Sequence, residues 1–536
     1  MINGEYASQM VDELRYLLSG HLGGWPSTLF RQSTIGLMKE LAAAGTHSAN
    51  GLLTPASFDD LKRQTREQIL HDVGLGPMTA RGPLLAQIPR EAAEFVPSSF
   101  KFKAWMSLLP GLEQDYLANW RQEFQASGYA DTAGPTFVGV VAPADSACFI
   151  ATHLLHIGIS SGYLSRWLDY RAQYDAAPYD LDTIVGELED RVSHGRGTVA
   201  VVVGLSRPPQ GEIRSTPGWM NTTATRQWLA QYHHNAPMTL HGGILYESEQ
   251  WDIDGALLDV ARAIHRLRQR AILKSGKAPQ FYETVWIAGV NNQRRLPETS
   301  QLGRALAPGY ELADALLESP TSDDRLEVSI ELLTSGLSES GPSAAGILWA
   351  ALEALLAAPG DPDRIQVSSR AGDVALVALV RSSFQISLGV LFSRCQHEAL
   401  AQYLQTLDRH DRLAELEIAL RRDEHLNLHH RSARVVLSHT RHLLEVERFE
   451  SQRQELQQTL RGLYRHRNLV LHGGITDGPL LSDILRASIP LVAAVVNRFA
   501  RATYENAIDP HVFAFEMFSR VESYLVDPRT AVSSFW

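Results

Sequence analysis

Apolar residues in the first part of the chain recur with a helical period and are separated by turn-forming breaks. They lie three to four positions apart over residues 8–18 and 58–73, as in a helix that buries one face. The breaks are rich in glycine, proline and serine and lie near residues 21–27 and 74–83. This pattern predicts a mainly helical N-terminal region over residues 1–130, whose role the sequence does not identify.

The next part of the chain, residues 131–304, mixes strand and helix patterns. Short runs rich in β-branched residues lie at 137–142, 198–203 and 284–288 and are bounded by turn formers, as in buried strands. Longer helical patterns lie at 147–174 and 183–194. The alternation predicts an α/β or α+β middle domain with one sheet, which is a candidate sensor or regulatory domain.

From residue 305 to residue 536 the apolar pattern is helical throughout. Pro342 and the pair Pro359-Gly360 mark the start and end of one helix. The charged segment from about 432 to 470 is expected to be the longest helix. The predicted helices lie at 326–337, 344–358, 373–392, 397–407, 413–420, 432–463 and 481–506. The predicted fold class is therefore a multidomain protein, with a mixed α/β N-terminal and middle region followed by an all-α helical bundle.

Composition narrows the classes of function. The net charge of −11 argues against a protein that coats nucleic acid with its whole surface, although charge can be segregated by domain. Cys148 and Cys395 are the only cysteines, which excludes a disulfide framework and a cysteine zinc site and fits a reducing cytosol. No apolar stretch was found that approaches the roughly 20 residues of a membrane span. We therefore expect a soluble, cytoplasmic protein without a membrane anchor.

The segment Arg467-Asn468-x-x-x-His472, followed by Gly473-Gly474, carries the most specific chemistry. An arginine holds phosphate oxygens through a planar fork of donors, and a histidine transfers protons near neutral pH. The glycines predict a helix end, with His472 in the last turn. Arg467 lies about 140° around the helix from His472. One helix is therefore not expected to aim both side chains at one phosphate, whereas two copies across a twofold axis could. The plainer alternative is that cations near a helix end complement its dipole.

This segment looks like the R-N-x-x-x-H signature of the HEPN superfamily, and the histidine-glycine-glycine that ends it is similar to a form common in the Apea-like branch. The apolar run 347–356, interrupted by Glu353, resembles the first long helix of such domains. Residues 365–370 suit the segment that follows this helix. Together these matches cover roughly residues 320–520.

The resemblance implies a helical bundle that forms a homodimer and cuts RNA without a metal or cofactor. Arg467 would bind and neutralise the scissile phosphate. His472 would act as general base or acid in attack by the adjacent ribose 2′-OH, and Asn468 would orient the histidine or the phosphate. Glu353 would be a buried carboxylate that pairs with Arg467 or a neighbouring arginine, or a polar residue at the edge of a core helix. Long proteins of this kind resemble prokaryotic anti-phage defence or growth-arrest effectors, in which an N-terminal region receives a trigger or inhibitor.

Two clusters of cations are candidate contacts for an RNA backbone. One lies on a predicted helix, in a stretch without acidic residues. Alternatively, this stretch is a solvent-exposed helix face whose positive charges balance acidic residues elsewhere. The other lies on the motif helix and, together with Arg453, predicts an electropositive neighbourhood. The candidate RNA-binding residues are Arg266, Arg268, Arg270, Lys274, Arg461 and Arg465.

A run of histidines precedes the motif helix. An i,i+4 pair such as His425 and His429 can bind zinc on a helix face, but a usable site needs further ligands. His430, His439 and His442 continue the run, and solvent-exposed histidines without a metal are expected.

Two other functions fit the same sequence. A HEPN-like bundle could bind RNA or a partner protein, or dimerise, without cleaving anything. Alternatively, an enzyme site could lie within residues 135–292. The latter predicts convergent polar groups in the middle domain and a buried, dry motif at Arg467.

Overall fold

The computed structural model describes most of the chain, and contacts divide it into two units. The first unit comprises residues 1–156, 168–189 and 301–536, and the second comprises 157–167 and 190–300. This division differs from the boundaries expected from sequence texture, because helices of the N-terminal region pack together with the C-terminal helices. The described residues are 5–18, 30–126, 141–174, 181–209, 211–297, 323–339, 341–361, 363–422, 430–506 and 509–535.

The described residues that precede the sheet are mainly helical, as predicted for the N-terminal region. The expected single helix at 147–174 is interrupted by Gly158, whose φ of 103° is incompatible with a helix. The expected strand at 137–142 falls largely outside the described residues. The helices are α1 Glu5–Leu18, α2 Thr34–Ala49, α3 Pro55–His71, α4 Met78–Gln87, α5 Phe100–Ala126, α6 Pro143–His156, α7 Ser161–Tyr174 and α8 Leu181–Ser193.

The second unit contains a small antiparallel sheet. Its strands are β1 Gly197–Gly204, β2 Trp219–Met220, β3 Gly243–Gln250, β4 Thr284–Ile287 and β5 Arg294–Arg295, in the order β2-β3-β1-β4-β5. The central pair, β1 with β3, runs from Gly197 opposite Gln250 to Gly204 opposite Gly243. The strands predicted at 198–203 and 284–288 are confirmed as β1 and β4.

Two helices cover the sheet of the second unit. Helix α10 (Ile253–Ser275) buries Leu257, Val260 and Ile264 against one face. Helix α9 (Thr222–Gln231) contributes Leu229 to a smaller core on the other face, around Trp286. The mixed character predicted for the middle region is therefore confirmed.

Described residues from 323 onward contain helices and no strand, as predicted. The expected helix at 432–463 is instead two helices separated by a turn at 443–445. The helices are α11 Asp324–Ser338, α12 Pro342–Leu356, α13 Gln366–Arg394, α14 Ala399–Thr406, α15 Arg409–Arg421, α16 Arg431–His442, α17 Val446–Gly473, α18 Leu481–Asn506 and α19 Pro510–Val526. With 29 residues, α13 and not the motif helix α17, with 28, is the longest of them.

Helix α13 is central to the C-terminal helices and contacts α16, α17, α18 and α19. Within the described part of the chain it is the one helix whose length and composition would allow it to cross a membrane, contrary to the expectation that no apolar stretch approaches that length. Of its most apolar window, 67% is buried inside the structure. Such burial is typical of a core helix.

A buried polar cluster joins the end of α3 to α5 and α6. The Tyr116 hydroxyl donates to Asp72 Oδ2 at 2.8 Å, and the Tyr116 ring stacks on His153 with centroids 3.9 Å apart. Burial lowers the pKa of His153 to about 3 and raises the pKa of Asp72 to about 6. These two groups therefore give stability opposite dependences on pH.

The substitution His153→Phe should remove an acid-sensitive part of the stability. Since the folded pKa of His153 lies below its unfolded value of 6.5, the unfolded chain binds more protons, and stability falls as the pH drops below 6.5. From pH 7 to pH 5 this loss amounts to about 2 kcal/mol. We expect the wild type to lose that much more stability than the variant in urea unfolding. Asp72 is present in both proteins, so its opposite pH dependence cancels when their losses of stability are compared. The exposed His194→Phe is the control, and equal losses in wild type and His153→Phe would contradict the prediction.

Candidate functional site

The motif lies at the C-terminal end of α17. Gly474 has a left-handed φ of 64°, and its N–H donates to the carbonyl of Val470. The N–H of Ile475 donates to the carbonyl of Leu469, which closes the helix. The predicted helix end is confirmed, and His472 lies in the last turn.

The Arg467 guanidinium contacts the three residues proposed to act with it, which are Asn468, His472 and Glu353. Its Nη1 donates to Asn468 Oδ1 at 3.0 Å and lies 3.3 Å from His472 Nε2. Its Nη2 lies 3.7 Å from Glu353 Oε2, at the end of α12. The expectation that one helix cannot bring Arg467 and His472 to one point is wrong, because the long arginine side chain spans the angle between them.

The contact between Arg467 and His472 has a consequence for the imidazole. A guanidinium has donors and no acceptor, so His472 Nε2 must accept if the two hydrogen-bond. The ring then carries its proton on Nδ1. The single lone pair of Nε2 then faces Arg467, and it becomes available to the proton of a substrate hydroxyl, as a general base requires, once the guanidinium turns to a bound phosphate.

The motif is accessible from solvent. The side chains of Arg467 and Glu353 are 23% and 22% exposed, and His472 is exposed. The alternative of an enzyme site within residues 135–292 predicted a buried, dry motif, and the exposure of these side chains contradicts that prediction. Glu353 lies beside Arg467 but is half-buried and not buried, and both expectations for it stay open.

Helix α12 and the loop that follows it support the motif from the other side. The Trp349 and Tyr464 rings pack with centroids 4.9 Å apart, and the Tyr464 hydroxyl donates to Asp363 Oδ1 at 3.2 Å. Burial raises the pKa of Tyr464, while a hydrogen bond with Asn468 acts in the opposite direction. Tyr464 thus contacts both Asn468 and Asp363, and sequence reasoning missed the roles of Tyr464 and Asp363. The i,i+4 spacing of Tyr464 and Asn468 was the available signal.

The other cations of α17 are not free for RNA. Arg461 Nη1 lies 2.8 Å from Asp60 Oδ1, and Arg453 Nε lies 2.6 Å from Asp373 Oδ1. The Arg465 side chain is only 1% exposed and lies 3.6 Å from Asp60 Oδ2. This corrects the expectation of an electropositive neighbourhood, because each arginine faces a carboxylate from another element and Arg465 has no surface at which to meet RNA.

Residues directly before Arg467 contact helices α2 and α3. Glu40, Asp60, Arg465 and His466 form what we call the buried polar layer, and all four are buried. His466 Nε2 lies 3.5 Å from Glu40 Oε1. Burial lowers the pKa of His466, although Glu40 opposes this. The N-terminal helices therefore hold the turn of α17 that precedes the motif.

The second cluster of candidate cations lies in the second unit, on the C-terminal half of α10. Arg266, Arg268, Arg270 and Lys274 are exposed there. The Arg268 guanidinium lies 5.7 Å from the centre of the Phe281 ring.

The described histidines of the run before α17 are not a metal site. His439 Nε2 lies 2.5 Å from Glu13 Oε2, and Glu13 raises the pKa of His439 against the effect of burial. This corrects the expectation that His439 is exposed. Across the described ranges, no group of three or more His, Cys, Asp or Glu residues could hold a metal ion. His425 and His429 lie outside these ranges.

The arrangement at the end of α17 can hold an anion, through Arg467, beside a proton acceptor, His472, and an orienting amide, Asn468. In comparisons with known proteins, no family model, no curated protein and no solved structure matches this chain.

Proposed function

We propose that this protein is a metal-independent endoribonuclease of the HEPN type, which cuts RNA through attack by the ribose 2′-OH. The observation that carries the proposal is the contact of one guanidinium, that of Arg467, with both His472 and Asn468 at an accessible helix end. A phosphate that binds Arg467 would lie beside the imidazole. This is the geometry that general base catalysis at an adjacent hydroxyl requires.

The proposed reaction uses no group beyond the RNA and the side chains. Arg467 binds two oxygens of the scissile phosphate and offsets its charge. Nε2 of His472 takes the proton of the 2′-OH, O2′ bonds to phosphorus, and the bond from phosphorus to O5′ breaks. O5′ leaves with a proton, which His472 of a second copy would donate in a homodimer. The products are a 2′,3′-cyclic phosphate and a 5′-hydroxyl, so DNA is not a substrate.

Glu353 is proposed to compete with the substrate for Arg467. The pair is partly exposed, with 3.7 Å between Arg467 Nη2 and Glu353 Oε2, so its contribution is about 1 kcal/mol or less. Glu353→Gln should therefore lower the KM for RNA by up to about fivefold and leave kcat unchanged. Steady-state cleavage of a labelled oligonucleotide measures this. Glu331→Gln, an exposed acid on α11, is the matched control. A loss of kcat in Glu353→Gln would show that the carboxylate takes part in catalysis instead.

The decisive test is incubation of the purified protein with total RNA in EDTA, beside Arg467→Ala and His472→Ala. The proposal expects fragments that end in 2′,3′-cyclic phosphate with wild type and intact RNA with both variants. An enzyme that needs a trigger would leave the RNA intact in vitro. Growth arrest on overexpression is therefore measured as well. Variants that still arrest growth as the wild type does would overturn the proposal.

The biological role we propose is that of a cytoplasmic anti-phage defence or growth-arrest effector. A ribonuclease endangers its own cell, so it needs a restraint. The buried polar layer supports such a role, because α2 and α3 contact the residues directly before Arg467. A trigger or inhibitor that binds the N-terminal region would act through this layer.

A second candidate function is a non-catalytic module that binds RNA or a partner protein, or that dimerises. The ion pairs of Arg453 and Arg461 favour it, since they leave the neighbourhood of the motif less positive than an RNA-cleaving site would gain from. This candidate predicts that His472→Ala keeps the full biological effect of the protein.

A further inference from the structure

The last turns of α10 extend past the core of the second unit. Ile264 is the last buried residue of the helix, and Leu267 packs partly against the core. The helix nevertheless continues to Ser275, where Gly276 closes it with a φ of 68°. Residues 268–275 therefore form a helical segment that contributes little apolar burial to folding.

Helix α10 carries a stripe of cations on one side, which begins before this segment and continues along it. Arg262, Arg266, Arg270 and Lys274 are spaced by four residues, so neighbours along the stripe are about 6 Å apart. Arg262 has a carboxylate partner, since its Nη1 lies 3.7 Å from Asp259 Oδ1. No acidic residue occurs from residue 260 to residue 282.

Arg266 and Arg270 have no such partner within the part of the chain that the structure describes. Both are exposed. The arginines of α17, in contrast, are compensated by Asp60 and Asp373. In a protein with a net charge of −11, the side of α10 around Arg266 and Arg270 is therefore a locally positive surface. It fits a polyanion whose charges repeat along a line.

Two aliphatic side chains lie at the end of the stripe. Leu273 is 88% exposed and Ile272 is 43% exposed. They offer apolar surface next to the cations, where an unpaired base could pack. A helix that lies on a membrane needs a continuous apolar face opposite its cations, and these two neighbouring residues do not form one.

We propose that the exposed half of α10 is a binding surface for the backbone of single-stranded RNA, with Arg266 and Arg270 as its main phosphate contacts. Arginine suits this role because its fork of donors matches phosphate oxygens. The inference rests on the proposed function in its choice of RNA as the polyanion. It gives the second unit the task of capturing the substrate.

The test is RNA binding by full-length His472→Ala protein, in which the proposed cleavage is blocked. A short fluorescein-labelled RNA of mixed sequence is the probe, and anisotropy is recorded over a range of KCl concentrations. Arg266→Glu with Arg270→Glu should raise the Kd about tenfold or more and reduce the salt slope by about 1.4, since each phosphate contact on a single strand contributes about 0.7. The exposed pair Arg207→Glu with Arg214→Glu, in the same unit, carries the same charge change as the control.

Equal Kd values for the two double variants would overturn this inference. So would loss of binding to phosphatidylserine vesicles with unchanged binding to RNA, which would assign the surface to a membrane. The neutral double variant Arg266→Gln with Arg270→Gln shows whether a loss of RNA binding in the glutamate variant comes from misfolding. Because binding is measured without cleavage, a failure of the ribonuclease proposal leaves this result interpretable. If cleavage is found, the glutamate variant should raise KM and leave kcat unchanged.

Discussion

His472→Ala and Arg467→Ala should each lower the rate of RNA cleavage about 10²–10⁴-fold, the range typical for loss of a general acid or base. In the proposed reaction, no other group accepts the 2′-OH proton when the imidazole is removed, and the phosphate is neither bound nor neutralised when the guanidinium is removed. His472 is exposed, so the stability of that variant should stay within about 0.5 kcal/mol of wild type. Initial rates on an end-labelled oligonucleotide in EDTA, together with thermal melts, measure both effects.

Two exposed residues of the same unit provide matched controls for this prediction. His397→Ala and Arg422→Ala remove the same kinds of side chain away from the motif contacts and should leave the rate unchanged. If the inactive variants also melt early, the loss reflects unfolding, and the assignment of His472 and Arg467 to the reaction would lose its support.

Mixing the two inactive variants tests whether two chains share one site. If Arg467 of one copy acts with His472 of the other, a mixed dimer contains one complete site, and about a quarter of the wild-type activity should return. If each chain supplies both residues of its own site, or if one site needs His472 of both copies, no activity should return. The structure makes this experiment informative, because one chain already brings Arg467 within 3.3 Å of His472.

Asp60→Ala should lower the free energy of unfolding by about 3–5 kcal/mol, because it leaves a buried charge without a partner. Arg465 is 1% exposed, and none of its side-chain nitrogens has a hydrogen-bond partner within the described residues. The nearby Asp60 carboxylate is therefore its main compensation, and Asp60 also binds Arg461 at 2.8 Å. Urea unfolding monitored by circular dichroism measures the change.

The neighbouring carboxylate gives a close control. Asp59 has a side chain that is 63% exposed and pairs with Lys62, so Asp59→Ala should change stability by about 1 kcal/mol or less. Replacement of both buried partners by apolar residues, Asp60→Leu with Arg465→Met, should recover much of the loss. Similar unfolding midpoints for Asp60→Ala and Asp59→Ala would show that Arg465 is compensated in another way.

Local features of this fold could be predicted from sequence. Helix α18 has the predicted limits, and β1 and β4 follow from their β-branched runs. Strand β3 was missed because its second half alternates exposed with half-buried polar residues and has no apolar run. The break of α7 from α6 was missed because a single glycine, Gly158, ends a continuous helical pattern.

One pentapeptide shows the limit of local reasoning. The sequence Leu-His-Gly-Gly-Ile occurs at 240–244 and again at 471–475. In the first copy the second glycine starts strand β3, and in the second copy the first glycine is the last residue of α17. Both copies contain a glycine with positive φ, Gly242 and Gly474. The same residues therefore allow a turn, while their surroundings decide what it connects.

The site itself was predictable only in part. The motif and the position of its helix end follow from residues 467–474. The partners of Arg465 and His466 do not, since Asp60 and Glu40 lie some 400 positions away and no local pattern indicates such pairs. The helical angle between Arg467 and His472 was computed correctly for the backbone. It misled because it ignored the reach of the side chain.

The buried polar layer also bears on how this protein folds during its synthesis, because its partners lie far apart in the sequence. Glu40 and Asp60 leave the ribosome long before Arg465 and His466, and N-terminal segments fold first. The last turns of α17 would then form against helices that already present the matching carboxylates. A chain that stops early lacks the motif, and a fragment that starts after α8 has the motif but leaves Arg465 without Asp60. Neither product of an interrupted or cleaved chain would retain both the motif and its support.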